Sequence, residues 1–240
     1  SSGLSISRTL SHPWLQALAM GFLGGVIHDM GRYEEAYVLL SESMTIFRAM
    51  NDPYFILLIG GYYGRTAQTL GRLSETDTVL REGLQIARES GNRWGIGLAL
   101  EQLGMFAQTT GNNEEARQLL EESLGLLREV GDRWSLSWAL HAMSQVMSAC
   151  HRDQEAEDYV AEAIQVAIEA GNHPSALNAL VTLALIRMGQ ERNAPAMEMV
   201  LFVLGHPSST QDAKARADRL RVELEKKISA DELKDIRMHA

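Results

Sequence analysis

Of 240 residues only one is cysteine, Cys150, so no internal disulfide can form and no cage of thiolates can hold a metal; such a chain reads as cytoplasmic. No apolar run approaches the roughly 20 residues that span a bilayer, and Ser1 to Ser7 show neither the basic nor the apolar stretch of an export signal. No membrane is therefore expected among the partners. Cations are in deficit: 22 Lys and Arg stand against 31 Asp and Glu, a formal charge of −9. Neutralising nucleic-acid phosphate needs a clustered positive excess, so nucleic acid is not an expected partner either. An initiator Met is also missing, and the opening Ser1-Ser2-Gly3 suggests a piece of a longer polypeptide. With 45% apolar and 22% charged residues the chain still has the surface to bury a core.

What is present is a repeat with a period of about 40. Turn segments recur on it at Gly31-Arg32-Tyr33, Gly71-Arg72-Leu73, Gly111-Asn112-Asn113 and, more weakly, His151-Arg152-Asp153. A second turn follows the same grid at Asn51-Asp52-Pro53-Tyr54, Gly91-Asn92-Arg93-Trp94, Gly131-Asp132-Arg133-Trp134 and Gly171-Asn172-His173-Pro174, with Ser11-His12-Pro13-Trp14 in step. Between turns the apolar residues follow helical spacing: Leu98, Leu100, Leu103 and Phe106 in one segment, Ala116, Leu119, Leu120, Ser123, Leu124 and Leu127 in the next. Strand signals are missing. Glycines just past the helix ends suit left-handed caps, and Ser74, Asn113, Asp132 and Asp153 are candidate N-caps. The spacing predicts an all-α chain: five helix pairs over 12–205, a leader over 1–11, and capping helices over 206–240, one from about Asp212 to Lys227 and another at Asp231 to Arg237. A single pair cannot bury its apolar faces, so the pairs must stack into a right-handed superhelical solenoid with an inner and an outer wall and no central cavity.

The columns of the repeat resemble the tetratricopeptide repeat. A large residue with a small one appears as Leu23-Gly24, Tyr63-Gly64 and Leu103-Gly104, fading to Met143-Ser144 and Leu183-Ala184. The second helix carries Ala36, Thr76, Ala116, Ala156 and Ala196, then Leu40, Leu80, Leu120, Val160 and Val200, then Ser43, Gly83, Ser123, Ala163 and Val203. The long period and the phrase Gly131-Asp132-Arg133-Trp134 are similar to repeats in bacterial signal-transduction ATPases and large transcriptional regulators related to the maltose-regulon activator. That resemblance implies a sensor region that responds to an inducer or a partner protein. No Gly-x-x-x-x-Gly-Lys-Ser/Thr phosphate loop and no helix-turn-helix reader accompany it, so only the sensor part would be present.

Catalytic and metal signatures are wanting. His-Glu-x-x-His does not occur, His141 and His151 lie on either side of a turn, and no Gly-x-Ser-x-Gly elbow exists. No enzyme activity, metal or cofactor is expected. Cys150 reads as an ordinary semi-buried thiol beside His151. The aromatics Trp14, Tyr54, Trp94 and Trp134 read as inter-repeat core. The helix with Lys214, Arg216, Arg219, Arg221, Lys226 and Lys227 is interleaved with acids and reads as a solvated cap face. Gly21, Gly25 and Gly61 fall where tetratricopeptide proteins face their inner wall; they serve either close helix contact or a side-chain-free floor that a ligand backbone or second subunit approaches.

On the same grid the inner wall presents Phe22 and His28; Tyr62, Arg65 and Gln68; Glu101, Gln102, Met105 and Gln108; Trp138, His141 and Gln145; and Asn178. Amides, aromatics and a Met with little net charge suit a protein or peptide segment laid along the groove, or a small-molecule inducer. The chaperone-tail-binding subset of the family holds a terminal carboxylate with Lys, Asn and Arg; Arg65 and Asn178 match that in part and Glu101 opposes it. The expected function is a non-enzymatic ligand- or partner-sensing module of a bacterial regulator, the alternative a self-assembling scaffold that forms homo-oligomers.

Overall fold

The structure, a computed structural model, describes residues 12–239. The leader over 1–11 lies outside the described residues. Helix pairs follow one another without a strand between them: α1 (Pro13–Asp29) and α2 (Tyr33–Ala49), α3 (Pro53–Thr69) and α4 (Leu73–Glu89), α5 (Arg93–Thr109) and α6 (Asn113–Val130), α7 (Arg133–Ala149) and α8 (Asp153–Glu169), α9 (His173–Gly189) and α10 (Asn193–Gly205), then α11 (Gln211–Glu225) and α12 (Ala230–His239). The first helices of the five pairs begin at Pro13, Pro53, Arg93, Arg133 and His173, one full period apart each time.

The family columns form the seam within each pair. Ala36, Thr76, Ala116, Ala156 and Ala196 are fully buried, as are Leu40, Leu120, Val160 and Val200. A side chain at Gly24 or Gly104 would collide with Leu40 or Leu120 of the same pair, which is why the small residue stands there. The turns between helices run through left-handed backbone at Gly31, Gly71, Gly91, Gly111, Gly131 and Gly171, and the same conformation is forced on Asn51, His151 and Glu191 where the grid offers no glycine.

Capping departs from expectation. Asp132 does cap α7, accepting from the Trp134 and Ser135 amides. Ser74, Asn113 and Asp153 instead lie within the first turns of α4, α6 and α8, whose N-caps are Arg72, Asn112 and Arg152 without a side-chain bond. The side chains of Asp52, Asn92, Asn172 and Thr210 cap α3, α5, α9 and α11.

Successive first helices touch one another along one side of the stack: α1 with α3, α3 with α5, α5 with α7, α7 with α9, and α9 with α11. From α2 to α8 the successive second helices stand farther apart and are spanned by long side chains, Arg48 to Glu82, Arg81 to Glu115, Arg88 to Glu122 and Arg128 to Glu162. Closer contact on one side than the other bends the stack toward the first helices, which makes their exposed face the inner wall.

Candidate ligand-binding groove

The glycines of the inner wall are there for the protein's own side chains. A Cβ at Gly21 would meet Ile59 at 2.6 Å, one at Gly25 would meet the Tyr62 ring at 3.1 Å, and one at Gly61 would run into the Gln102 amide. The floor they open is thus filled by the next repeat, and close helix contact is their role.

The aromatic column divides: Trp14 and Trp94 pack against the core as expected, and Tyr54 and Trp134 depart from it. Tyr54 is 49% exposed and Trp134 56%. Trp14 and Trp94 are part-buried and donate their indole N–H to Asp52 and Asp132, the cap residues of the following first helices, at 3.1 and 2.6 Å. Where the cap residue is Asn92 or Asn172, the preceding aromatic is the exposed one. Asn172 is 1% exposed, spends its Oδ1 on the Ser175 amide and leaves its Nδ2 without a partner among the described residues. An amide cap therefore does not hold the indole that a carboxylate cap holds. Cys150 is exposed, not semi-buried.

Along the groove, Phe22 on α1 is exposed. His28, one helical turn past Gly24 and Gly25, meets the Thr66 Oγ1 at 2.9 Å. Thr66 donates its own proton to the Tyr62 carbonyl, so His28 Nδ1–H is the donor in that bond. Burial first, then the Arg65 charge, lowers the His28 pKa to about 4. The Arg65 guanidinium lies over the Tyr62 ring, 4.9 Å from its centre. Gln68 bonds Thr109 of the next pair.

One helix on, Glu101 is 5% exposed and forms no hydrogen bond or ion pair at bonding distance with the described residues. Register explains its isolation. Across the first-helix seam Gly61 meets Gln102, Gln68 meets Thr109 and His141 meets Thr182, the same sequence offset each time. From Glu101 that offset arrives at Ala142, whose methyl can donate nothing. Burial raises the Glu101 pKa to about 7, with the Arg65 charge opposing. Gln102, Met105 and Gln108 are half-buried beside it.

On α7, Trp138 and Gln145 are half-buried and His141 is 5% exposed. His141 Nε2 lies 2.8 Å from Thr182 Oγ1 and 3.3 Å from the Gln145 amide nitrogen. Its pKa falls to about 3 through burial and the charge of Arg216. Asn178 is buried and donates to the Pro174 carbonyl of its own helix. Sequence reasoning missed two residues of this corner. Thr182 lies one repeat beyond the column it serves, and Arg216 comes from α11, where its alternation with acids suggested only a solvated face; the structure instead has Arg216 Nη2–H donating to Thr182 at 3.1 Å.

Away from the groove an open notch of about 350 Å³ is lined by Arg48, Tyr63, Ser74, Glu75, Thr78 and Val79. Its groups satisfy one another: Tyr37 and Tyr63 both donate to Glu75, and Arg48 pairs with Glu82. No helix among the described residues is long and apolar enough to cross a membrane, and none of their His, Cys, Asp and Glu side chains gather in a group of three able to hold a metal.

Residues 95–166 match the tetratricopeptide repeat family, and residues 142–191 match anaphase-promoting complex subunit 5. No curated protein sequence matches the chain at a significant level. A Rap protein complexed with competence and sporulation factor is similar in structure, with a TM-score of 0.76 at 13% identity, over 97% of this chain and 66% of that one. A signal transduction ATPase with numerous domains and a tetratricopeptide repeat sensor, from Pyrococcus horikoshii, has a TM-score of 0.63 at 15% identity over 98% of this chain, which spans only 38% of that protein. A putative kinesin light chain with nearly identical TPR-like repeats, from Podosopora anserina, has a TM-score of 0.56 at 17% identity, covering 89% of this chain and 98% of its own. At such identities the likeness establishes the fold, a right-handed superhelical solenoid of tetratricopeptide type, an architecture of protein-interaction modules.

Proposed function

We propose that the chain is a non-enzymatic binding module whose inner wall holds an extended protein or peptide segment, acting as the sensing part of a larger bacterial regulator. One observation carries this reading. Among arginines with described side chains, those of the outer wall and turns lie within 4.0 Å of a carboxylate, whereas Arg65 and Arg216, the two that reach the inner wall, and the exposed Arg219 of α11 do not. Glu101 on the same wall is likewise unpaired. Polar and charged groups left without partners in a half-buried groove favour a ligand that brings the missing partners. The Rap protein whose fold is similar was solved with a bound factor, which supports the same reading. The exposed Leu15, Phe22, Val26 and Met30 on and just past α1 favour the second reading, self-assembly, and concentration-dependent light scattering separates the two.

The test uses random-peptide libraries selected on the full chain. Tyr62→Ala, Gln102→Ala and Trp138→Ala combined should abolish retention of the selected peptides while the circular-dichroism spectrum stays helical, because aromatic anchors contribute ~2 kcal/mol or more each. Peptides held equally by the triple variant but released by Glu121→Ala or Arg128→Ala on the outer helices would place the working surface there instead.

A further inference from the structure

Every described arginine of the outer wall is neutralised within the protein, whereas Arg65 and Arg216 on the inner wall have no carboxylate at ion-pair distance. Of these, Arg216 is the better built. It reaches from the capping helix α11 back to the inner wall, where one of its five N–H groups is spent on Thr182. No carboxylate among the described residues stands within 4.0 Å of it; Asp212, one turn earlier on α11, supports its charge from farther away, while Arg219 opposes it. Burial lowers its pKa, the mark of a cation with too little solvent around it. The groups beside it satisfy one another without drawing on the guanidinium further. Thr182 accepts from Arg216 and gives its own proton to His141 Nε2, which the amide nitrogen of Gln145 also faces. His141 Nε2 is then the acceptor, and the ring keeps its proton on Nδ1. The corner thus holds a guanidinium with spare N–H groups, a neutral imidazole that its surroundings keep from charging, and no anion among the described residues.

We propose that the Arg216–Thr182–His141 corner, at the C-terminal end of the inner wall, binds a carboxylate of the peptide held in the groove. The proposal rests on the peptide-binding reading above. A planar guanidinium held by one bond presents its remaining fork to a planar, doubly accepting anion, and a carboxylate matches that geometry. The carboxylate has two sources, an Asp or Glu side chain or the peptide's own C-terminus, and the same Arg216 fork serves either.

Two random heptapeptide libraries, one with free and one with amidated C-termini, are selected on the full chain. Enrichment of Asp or Glu at one position in the amidated library identifies a side-chain carboxylate; selection from the free library alone identifies the C-terminus; both support the site. Arg216→Gln should weaken the selected peptides at least tenfold, Arg216→Lys should recover part of the loss, and Arg219→Gln, an exposed and unpaired cation on the same helix, should leave affinity unchanged. If Arg216→Gln loosens α11, the wild-type chain still decides: the Arg216 Nε–H resonance should shift when selected peptide is added, and an unmoved resonance overturns the proposal. Amidated peptides that bind without any acidic preference, yet are released by the Tyr62, Gln102 and Trp138 triple variant, overturn the carboxylate site and leave the groove standing. Failure of both libraries to yield any binder overturns both.

Discussion

Glu101 is an acid enclosed in the seam between α5 and α7 with only Arg65 to favour its charge. Its folded pKa of about 7 lies above the unfolded 4.5, so the folded state keeps a proton that the unfolded chain has lost between those values. The stability this proton confers is whole below pH 4.5 and is lost as pH rises through 7. At ~1.4 kcal/mol per unit the loss approaches about 3 kcal/mol. Glu101→Gln should therefore match the wild type in thermal melts at pH 4 and exceed it above pH 7; a constant separation across that range would show that Glu101 is not held protonated. His141 works in the opposite sense. Its folded pKa of about 3 lies below the unfolded 6.5, so its stability is present above pH 6.5 and is lost as pH falls toward 3. Replacing His141 with Gln should flatten that acid limb, measured by the same melts. The repeat grid puts Glu101 on the first-helix side of its pair; the structure encloses it there at 5% exposure. Its want of a partner was not legible in that grid, because it depends on Ala142 arriving opposite it in the next first helix, a register the sequence alone does not reveal.

The helices themselves were written plainly in the sequence: the repeat grid, the buried Ala and Leu columns and the turn glycines each reflect a local rule that no tertiary contact overrides. Helix ends were less legible. Ser74, Asn113 and Asp153 have the right chemistry for caps and stand one or two residues too late, because the left-handed turn residue fixes where each helix begins. Half of the aromatic column departs from the core for a related reason: Trp14 and Trp94 pack against it, and Tyr54 and Trp134 do not, according to whether the cap of the next first helix is Asp or Asn. Asn172→Asp should then draw Trp134 onto α9 as Asp132 draws Trp94, since Ser175 occupies the place of Ser135 beside the cap. One added indole bond is worth ~1 kcal/mol, about 2–4 °C in a chain of this size. The expected readout is slower solvent exchange of the Trp134 indole proton with a raised melting temperature. Unchanged exchange with a lowered melting temperature would mean that the exposed indole is set by something other than the cap.

At the scale of the whole molecule the core is a chain of neighbourhoods. Buried side chains from Ala17 to Leu103 form one cluster, those from Ala107 to Ile186 a second, and those from Leu177 to Ile236 a third, the joints being bridged by half-buried Leu119, Leu180 and Met199. The outer Arg–Glu pairs that link successive second helices are exposed and contribute ~0–1 kcal/mol each. Stability in such a stack is approximately a sum of repeat terms and nearest-neighbour terms, so damage should stay near where it is done. Leu120 tests this. It is fully buried in the second cluster, packed where Gly104 admits it, and Leu120→Ala should cost ~2–5 kcal/mol through lost burial and the cavity left behind. Amide hydrogen exchange should accelerate across α6 to α8 while α1 and α2, whose core neighbours belong to the first cluster, exchange at the wild-type rate. Equal acceleration in α1 and α2 would show that the stack opens as one cooperative unit, and a ligand lying along the inner wall would then couple every repeat it touches to every other.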